Sequence, residues 1–406
     1  MTPSHTPDTP GAVTITVTAP DPSPVPAAVP RDLLCSDAEE ELRAAVRALL
    51  TDRADTAALL ARAESGDPYD PAVWTVLARD IGAAGLLVPE EYGGQGASHR
   101  EAAVVLEELG RAMTPAPYLT GSVIATETLL ALGPDRPGVG TLLGALAAGE
   151  RTAVLAVPFA ASPYVPVPAG GPVPGVADAL RADVLLVPRE DGLYAVERAD
   201  AAVTPLTALD LTRPLAVVDA TGAPGTLLGD RPATDAAVRR GLLTGAGLLA
   251  SEQLGVAEWC LEEAVRHTRG RHQFNRPVGS FQALKHRMAQ LWLGVVSARA
   301  VARDAAAALA SGGPHTGTST DTGTGTGTGA DIDTAVAVAQ AHTAAVAVRT
   351  AEECVQLHAG IGMTWEHPVH LYLKRAKSTE IALGTPGAHR QALASLVGLP
   401  APGATS

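Results

Sequence analysis

The chain has 406 residues, 46% of them hydrophobic, which is enough to bury a large core divided into two or three domains. Its 30 basic and 43 acidic side chains leave a formal net charge of −13, which repels a phosphate backbone and argues against nucleic-acid binding. Because it has neither the roughly 20 apolar residues of a membrane span nor a signal-peptide pattern, the sequence predicts a cytoplasmic protein.

The N-terminal third is predicted to be a flexible tail followed by an all-helical domain. Residues 1–33 are rich in proline, threonine and serine, whereas residues 34–149 carry apolar stripes at helical spacing. Two serines precede a glutamate by three residues, the capping-box arrangement that satisfies the free amides of a helix start. These boxes are Ser36 with Glu39 and Ser98 with Glu101. The stripes are Leu42, Val46, Leu49 and Leu50; Trp74, Leu77 and Ile81; and Val105, Leu106 and Leu109.

The pattern changes at about residue 150 and again at about 235. Between 150 and 234, short apolar runs alternate with Pro- and Gly-rich turns, which is typical of a small β domain. The runs are AVLAV (153–157), DVLLV (183–187) and PLAVV (214–218). Residues 235–398 are helical again and predict an antiparallel bundle, interrupted by an exposed low-complexity loop at 311–333.

Two segments before the loop carry residue types that suit a nucleotide-like ligand. VPEEYGGQG (88–96) contains a double glycine, although this segment alone is equally a polar turn between helices. RGRHQFNRPVGSFQALKHRMAQ (269–290) places Arg271 beside a helix terminus, where a guanidinium suits a pyrophosphate. The amide of Gln282 could read a nucleotide base. The alternative for this segment is a solvated basic turn.

A third segment, QLHAGIGMTWEHPVHLYLKRAK (356–377), combines glycines with histidines. Gly360 and Gly362 allow the backbone to approach a ligand closely. The histidines are His358, His367 and His370. No helical i, i+4 pair with a carboxylate supports a metal site, so a structural or ligand-facing role is favoured. Cys35, Cys260 and Cys354 form no CxxC or CxxH pattern, which predicts reduced thiols and neither a disulfide nor a metal site.

In this order, the three segments resemble the acyl-CoA dehydrogenase family. The resemblance runs from about residue 36 to 398 and rests on PEEYGGQG, R-x-Q-F-x-x-P-x-G-x-F-Q (271–282) and Q-L-H-A-G-I-G-M-T-W-E-H-P (356–368). It implies a mainly α fold, with an N-terminal helical domain, a β-barrel middle domain and a C-terminal four-helix bundle. It also implies an acyl-CoA substrate, an electron-transfer acceptor and FAD between the domains. A neighbouring subunit of a homo- or hetero-oligomer, a dimer or dimer of dimers, would complete the FAD site.

The resemblance implies roles for single residues as well. Family members remove a proton α to the thioester carbonyl and pass a β-hydride to the flavin. Arg271 matches the arginine that holds the FAD pyrophosphate, and Phe274 and Gln282 match positions near the adenosine half. Gln356 and Gly360 match the pyrophosphate contact that comes from the other subunit.

The positions that usually hold the catalytic base carry no carboxylate here. The late turn of the family corresponds to EIALGTPG, where Thr385 matches a threonine that touches FAD but Leu383 replaces the usual glutamate. A second family location lies about 26 residues before Arg271 and holds Gly245. An apolar side chain cannot accept a proton, so the base is unknown.

Two smaller departures accompany the missing base. The polar loop that contacts the flavin ring in the family corresponds to LAVPFAASPYVP (155–166), where Ser162 is the hydroxyl candidate. One glycine of the later G-G-x-G becomes Ala359, which we expect to be a mild change that still leaves Gly360.

Several explanations of the missing base stay open. Glu252 or Glu380 could take over as base, or the chain could be the non-catalytic subunit that partners a base-bearing homologue in a heteromeric enzyme. A flavin monooxygenase on the same scaffold would need no α-proton base. A binding protein without a redox role is disfavoured, because such a chain has no need of Arg271 and Gln282 together.

Overall fold

A computed structural model describes residues 31–53, 56–312 and 329–399. Most of the predicted tail and most of the predicted low-complexity loop lie outside these residues. The ends of both predictions need correction: Arg31 is bound by Asp304, with 2.8 Å between Nη1 and Oδ1, and helix α9 already begins at Gly329. Other predicted domain boundaries stay predictions.

The N-terminal region is helical, as predicted. Its helices are α1 (Asp37–Arg53), α2 (Thr56–Ser65), α3 (Pro71–Thr75), α4 (His99–Arg111), α5 (Thr126–Leu132) and α6 (Val139–Ala147). Both predicted capping boxes are confirmed at the starts of α1 and α4. At the first, the Ser36 amide donates to Glu39 Oε2 (2.9 Å) and the Glu39 amide donates to Ser36 Oγ (3.2 Å).

Two stretches of π-helix interrupt this region. Val76–Asp80 continues α3, so the predicted stripe of Trp74, Leu77 and Ile81 spans an α-to-π transition. Tyr118–Ala125 precedes α5, and all eight of its residues are buried. Single π-turns often occur at functional sites, because the extra residue per turn redirects side chains. The second stretch forms one wall of the candidate site.

The β region consists of two small sheets. Its strands are β1 (Ala153–Leu155), β2 (Val173–Ala177), β3 (Val184–Pro188), β4 (Gly192–Glu197), β5 (Ala202–Leu206), β6 (Leu215–Asp219) and β7 (Thr226–Asp230). One sheet has the order β1-β3-β4-β7, with a parallel β1–β3 pair, and the other has the order β2-β6-β5. The three predicted apolar runs fall on β1, β3 and β6.

The C-terminal region is a helical bundle with a short hairpin between its first two helices. Its elements are α7 (Arg231–Gly270), β8 (His272–Gln273), β9 (Arg276–Pro277), α8 (Gln282–Ser311), α9 (Gly329–His358), α10 (Val369–Ile381) and α11 (Pro386–Leu396). Helix α7 packs so closely on α4 that a Cβ at Gly255 would lie 2.0 Å from the Glu107 carbonyl oxygen. Helices, small sheets and bundle in this order confirm the predicted fold class. None of the described helices is long and apolar enough to cross a membrane.

Candidate cofactor and active site

The two positions at which the family carries its base converge in the structure. Gly245 lies on α7, and Leu383 lies in the turn between α10 and α11. A Cβ at Gly245 would lie 2.6 Å from Ile124 Cγ1 and 3.3 Å from Leu383 Cδ1. Leu383 is 1% exposed, and its amide donates to the Phe159 carbonyl oxygen at 2.8 Å. The two alternative base positions therefore pack together in one apolar cluster with Ile124.

Leu383 and Ile124 of this cluster also line a cavity of about 20 Å³. Its lining includes the side chains of Thr120, Ile124, Phe159, Leu242 and Leu383. Phe159 belongs to the 155–166 stretch that the resemblance places against the flavin ring. A cavity of this size holds about one water molecule. This cavity is too small to hold a three-ring flavin.

The late turn is braced from two sides. His389 Nε2 lies 3.0 Å from the Leu383 carbonyl oxygen, and burial lowers the pKa of His389, which favours the neutral ring. A Cβ at Gly384 (φ +99°) would lie 3.3 Å from Ser162 Oγ, so Ser162 reaches the late turn, while its contact with the flavin ring stays a prediction. Thr385 Oγ1 accepts from the Ala388 amide at 3.2 Å and caps α11. This cap is a structural reason for the threonine, independent of any cofactor.

Glu252 is wrong as a candidate base. Its carboxylate is 2% exposed and is held by two arginines, with Oε2 2.7 Å from Arg213 Nη2 and Oε1 2.8 Å from Arg375 Nη1. Burial opposes ionisation, but the charges and hydrogen bonds of Arg213 and Arg375 outweigh burial and lower the pKa of Glu252. A carboxylate with both oxygens bound and a lowered pKa is a poor proton acceptor.

Glu380, the other candidate base, lies on the partly exposed side of α10. Its Oε2 is 3.9 Å from Lys377 Nζ, and its side chain is 33% exposed. It does not line the cavity beneath Leu383. Among the residues that the structure describes, neither Glu252 nor Glu380 presents a free carboxylate to that cavity.

The residues matched to the outer half of FAD lie on an exposed hairpin. Arg271 ends α7, and Gln282 is the exposed first residue of α8. Between them, β8 and β9 are joined by Phe274 (φ +53°) and Asn275 (φ +60°), the backbone of a type I′ turn. Phe274 is 85% exposed. Segment 269–287 contains five Arg and Lys side chains and no Asp or Glu, so it is locally basic although the chain is acidic overall.

The second set of predicted contacts lies beside this hairpin. Gln356 is exposed in the last turn of α9, and Gly360 is exposed in the turn that follows. The two sets are neighbours, because the His267 ring, one helical turn before Arg271, lies 4.1 Å from the ring of His358. The exposed groups fit a ligand held between this surface and another molecule.

Ala359, which replaces a glycine of the family motif, lies in a backbone conformation that favours glycine. It adopts φ +54°, the left-handed conformation that glycine reaches without strain and alanine does not. We expected a mild change, but the replacement places a Cβ at the position in this turn whose positive φ favours glycine.

PEEYGGQG forms a tight turn. A Cβ at Gly94 would lie 2.0 Å from the Val88 carbonyl oxygen, so glycine is required there by the fold itself. The Gly96 amide donates to the same carbonyl oxygen at 2.9 Å. The polar-turn interpretation therefore accounts for this motif.

The sequence matches the models of two domains of one known family. "Acyl-CoA dehydrogenase, N-terminal domain" matches residues 36–137, and "Acyl-CoA dehydrogenase, C-terminal domain" matches residues 236–397. "Acyl-CoA dehydrogenase IpdE2" of Mycolicibacterium smegmatis is 36% identical over 353 residues, covering 86% of this chain and 96% of that protein.

Solved structures with the same fold include assemblies of two different proteins. One chain of the ChsE4-ChsE5 complex from Mycobacterium tuberculosis superposes with a TM-score of 0.76 at 26% identity, covering 91% of this chain and 100% of that chain. A chain of a variant of the Tcur3481-Tcur3483 steroid ACAD gives 0.74 at 26% identity, covering 89% and 98%.

Proposed function

Because the chain belongs to the acyl-CoA dehydrogenase family of oxidoreductases, we propose that it is one subunit of a heteromeric, FAD-dependent acyl-CoA dehydrogenase. A base-bearing homologue supplies the carboxylate that removes the α-proton. The observation that carries the proposal is that Gly245 and Leu383 pack together in one apolar cluster with Ile124, where neither position offers a carboxylate. Two of its structural relatives are complexes of two different proteins, which supports a paired arrangement.

The proposed contribution of this chain to the cofactor site is its exposed basic hairpin. FAD, when bound, supplies the acceptor for the β-hydride. The Arg271 guanidinium binds the pyrophosphate, and Phe274 packs beside the adenosine half, where Gln282 offers its amide. Gln356 and the backbone at Gly360 complete the pyrophosphate contact. The partner subunit would hold the flavin ring, because the cavity lined by Phe159 and Leu383 in this chain is too small for it.

The substrate follows from the family at the level of chemical class. Polarisation of its carbonyl oxygen makes the α-proton of an acyl-CoA thioester more acidic, and a base within hydrogen-bond reach is needed to remove that proton. This chain offers the binding scaffold but no such base at Gly245 or Leu383. The proposal therefore assigns the acyl group and proton abstraction to the partner subunit's active site.

The test compares the chain purified alone with the chain co-purified with a base-bearing homologue. Alone, it is expected to be colourless and inactive; the complex should show flavin absorbance that bleaches anaerobically with an acyl-CoA. Arg271→Ala should lower the flavin content of the complex at least tenfold. Arg269→Ala, an equally exposed arginine two residues earlier, should leave the content unchanged.

Two results would contradict the proposal. Bound flavin that bleaches in the chain purified alone would show a competent homomer. A complex whose flavin content is insensitive to Arg271→Ala would remove the hairpin from the cofactor site.

A further inference from the structure

A second cluster of ligating side chains lies beneath the hairpin. Glu263 comes from α7, His358 is the last residue of α9, and His367 precedes α10. The Nε2 atoms of both histidines lie 3.2 Å from Glu263 Oε1. One ligand atom from each of the three residues lies within 4.8 Å of the others. Two parts of the chain, about 95 residues apart in sequence, thus present two imidazoles and a carboxylate to one point.

The surroundings orient these groups as metal ligands require. His358 is 0% exposed, and its Nδ1 lies 2.7 Å from the Cys354 carbonyl oxygen, so Nδ1 carries a proton that it donates. A histidine held in this way directs its other nitrogen towards a metal. The burial of Glu263 and His358 excludes most of the water that would compete for a cation.

A further histidine, outside this cluster of three, lies on the same helix as Glu263. His267 is four residues later, so the two side chains share one face of α7. His267 Nε2 is buried and has no hydrogen-bond partner among the described residues. Glu263 and His267 form a carboxylate–histidine i, i+4 pair. Segment 356–377 lacks such a pair, which argued against a metal site in the sequence; the pair lies about 90 residues earlier in the chain.

We propose that Glu263, His358 and His367 bind a divalent transition-metal ion, for which Zn²⁺ is best suited, and that His267, whose ring centroid lies 4.1 Å from that of His358, turns to supply the fourth donor. Imidazole and carboxylate ligands in a four-coordinate site are typical of zinc, whereas magnesium and calcium take oxygen ligands. The site would tie the end of α7 to the end of α9 and to segment 359–368. It would thereby fix the positions of Arg271 and Gly360, without taking part in chemistry.

Three features compete with the metal and weaken its binding. The Arg266 guanidinium pairs with Glu263, but its side chain is 71% exposed and can turn into solvent. The Val369 amide donates to His367 Nδ1 at 3.3 Å, a bond lost when Nε2 becomes the ligand. Burial lowers the pKa of His358, but hydrogen bonds to Cys354 and Glu263 outweigh burial and raise it to about 10, so a metal must displace a proton.

The experiment uses the untagged full chain, treated with a chelator and then given Zn²⁺ or Co²⁺. After gel filtration, about one Zn²⁺ per chain is expected by elemental analysis, and Co²⁺ should give the intense visible bands of a four-coordinate site. His367→Asn and Glu263→Gln should lower Zn²⁺ affinity at least tenfold. His370→Asn is the matched control, because that half-buried ring packs on Trp365, with centroids 4.5 Å apart, instead of facing Glu263.

The proposal is overturned if the wild-type chain retains no metal, or if Co²⁺ shows only its aqueous spectrum. The cluster would then be a hydrogen-bonded carboxylate–imidazole network. Unchanged affinity in a folded His367→Asn variant would equally overturn it. If that variant does not fold, the wild-type metal content and Co²⁺ spectrum decide. None of these measurements depends on flavin, so failure here is distinguishable from failure of the proposed function.

Discussion

At the scale of single residues, the most consequential side chain is one whose role is structural. Glu252 lies between Arg213 and Arg375, and Arg375 also binds Asp210, with 2.5 Å between Nε and Oδ2. The four charges are buried and balance one another, joining the β region to α7 and α10. Removing one partner of such a network leaves an uncompensated buried charge, which is far costlier than losing a surface pair.

We expect Glu252→Gln to lower the free energy of unfolding by about 3–5 kcal/mol. Because the pKa of Glu252 is lower in the folded chain than in the unfolded chain, its ionised form stabilises the fold above the unfolded pKa of about 4.3. That contribution is lost as pH falls through the lower folded pKa. Urea unfolding at neutral and acidic pH should therefore show a difference between wild type and variant that shrinks in acid.

The control for this prediction is Glu262→Gln. Glu262 is on the same helix, its side chain is 60% exposed, and it pairs with Arg111. An exposed pair contributes about 0–1 kcal/mol, so this variant should unfold nearly as wild type does. A Glu252→Gln variant as stable as Glu262→Gln would show that the buried network does not hold these elements together.

The role of Glu252 could not be predicted from the sequence. Its nearness to Gly245 made it a candidate base, because spacing along one helix was the available information. Arg213 and Arg375 lie 39 and 123 residues away, and only tertiary packing brings their guanidinium groups to it. In contrast, the absence of a carboxylate at both usual base positions could be predicted from the sequence alone, because it depends only on which residue type occupies each motif position.

At the scale of elements, the sequence predicted local signals well and local irregularities poorly. Capping boxes and apolar stripes act within one or two helical turns, so their residues alone determine the outcome. The π-helical stretch Tyr118–Ala125 carries no such local sequence signal. Its eight residues are all buried, so its conformation follows from packing against the rest of the chain. The left-handed backbone at Ala359 could not be predicted either, because alanine rarely adopts that conformation and so gives no sequence signal for it.

The hairpin between α7 and α8 shows a conflict between backbone preference and side chain. Its turn requires positive φ at both central positions, which favours Asn and Gly, yet the first holds Phe274. A bulky residue in the left-handed region costs roughly 1–2 kcal/mol. Within the chain the Phe274 ring makes a T-shaped contact with Phe281, with centroids 6.0 Å apart, yet it stays 85% exposed, which indicates a further contact with another molecule.

We therefore expect Phe274→Asn to raise the free energy of unfolding of the isolated chain by about 0.5–1 kcal/mol, because asparagine tolerates positive φ. The same variant should lower the flavin content of the complex. Chemical denaturation followed by circular dichroism measures the first effect, and flavin absorbance of the purified complex measures the second. Gln273→Ala, an exposed change in the adjacent strand, should alter neither. A Phe274→Asn chain that is both less stable and fully loaded with flavin would contradict this account of the hairpin.

At the scale of the whole molecule, one exposed helix face is too apolar for a free surface. Trp292, Leu293 and Val296 on α8 are 56%, 61% and 37% exposed, while Leu291 and Val295 of the same helix pack into the bundle core. Clustered exposed apolar side chains on a folded chain mark an interaction site. Membership of an oligomeric family gives this face an occupant, another subunit of the assembly.

We expect Leu293→Glu to reduce the assembly to smaller species, because a carboxylate buried at an apolar interface without a partner is strongly unfavourable. Light scattering after size exclusion, or native mass spectrometry, measures the change in mass. The control is Ala45→Glu, which adds the same charge at an exposed position of α1 and should leave the mass unchanged. Because Leu293 is exposed in the single chain, its folding should survive the substitution, and circular dichroism checks this. An assembly of unchanged mass would place the subunit contact elsewhere on the molecule, and the apolar face of α8 would then need another occupant.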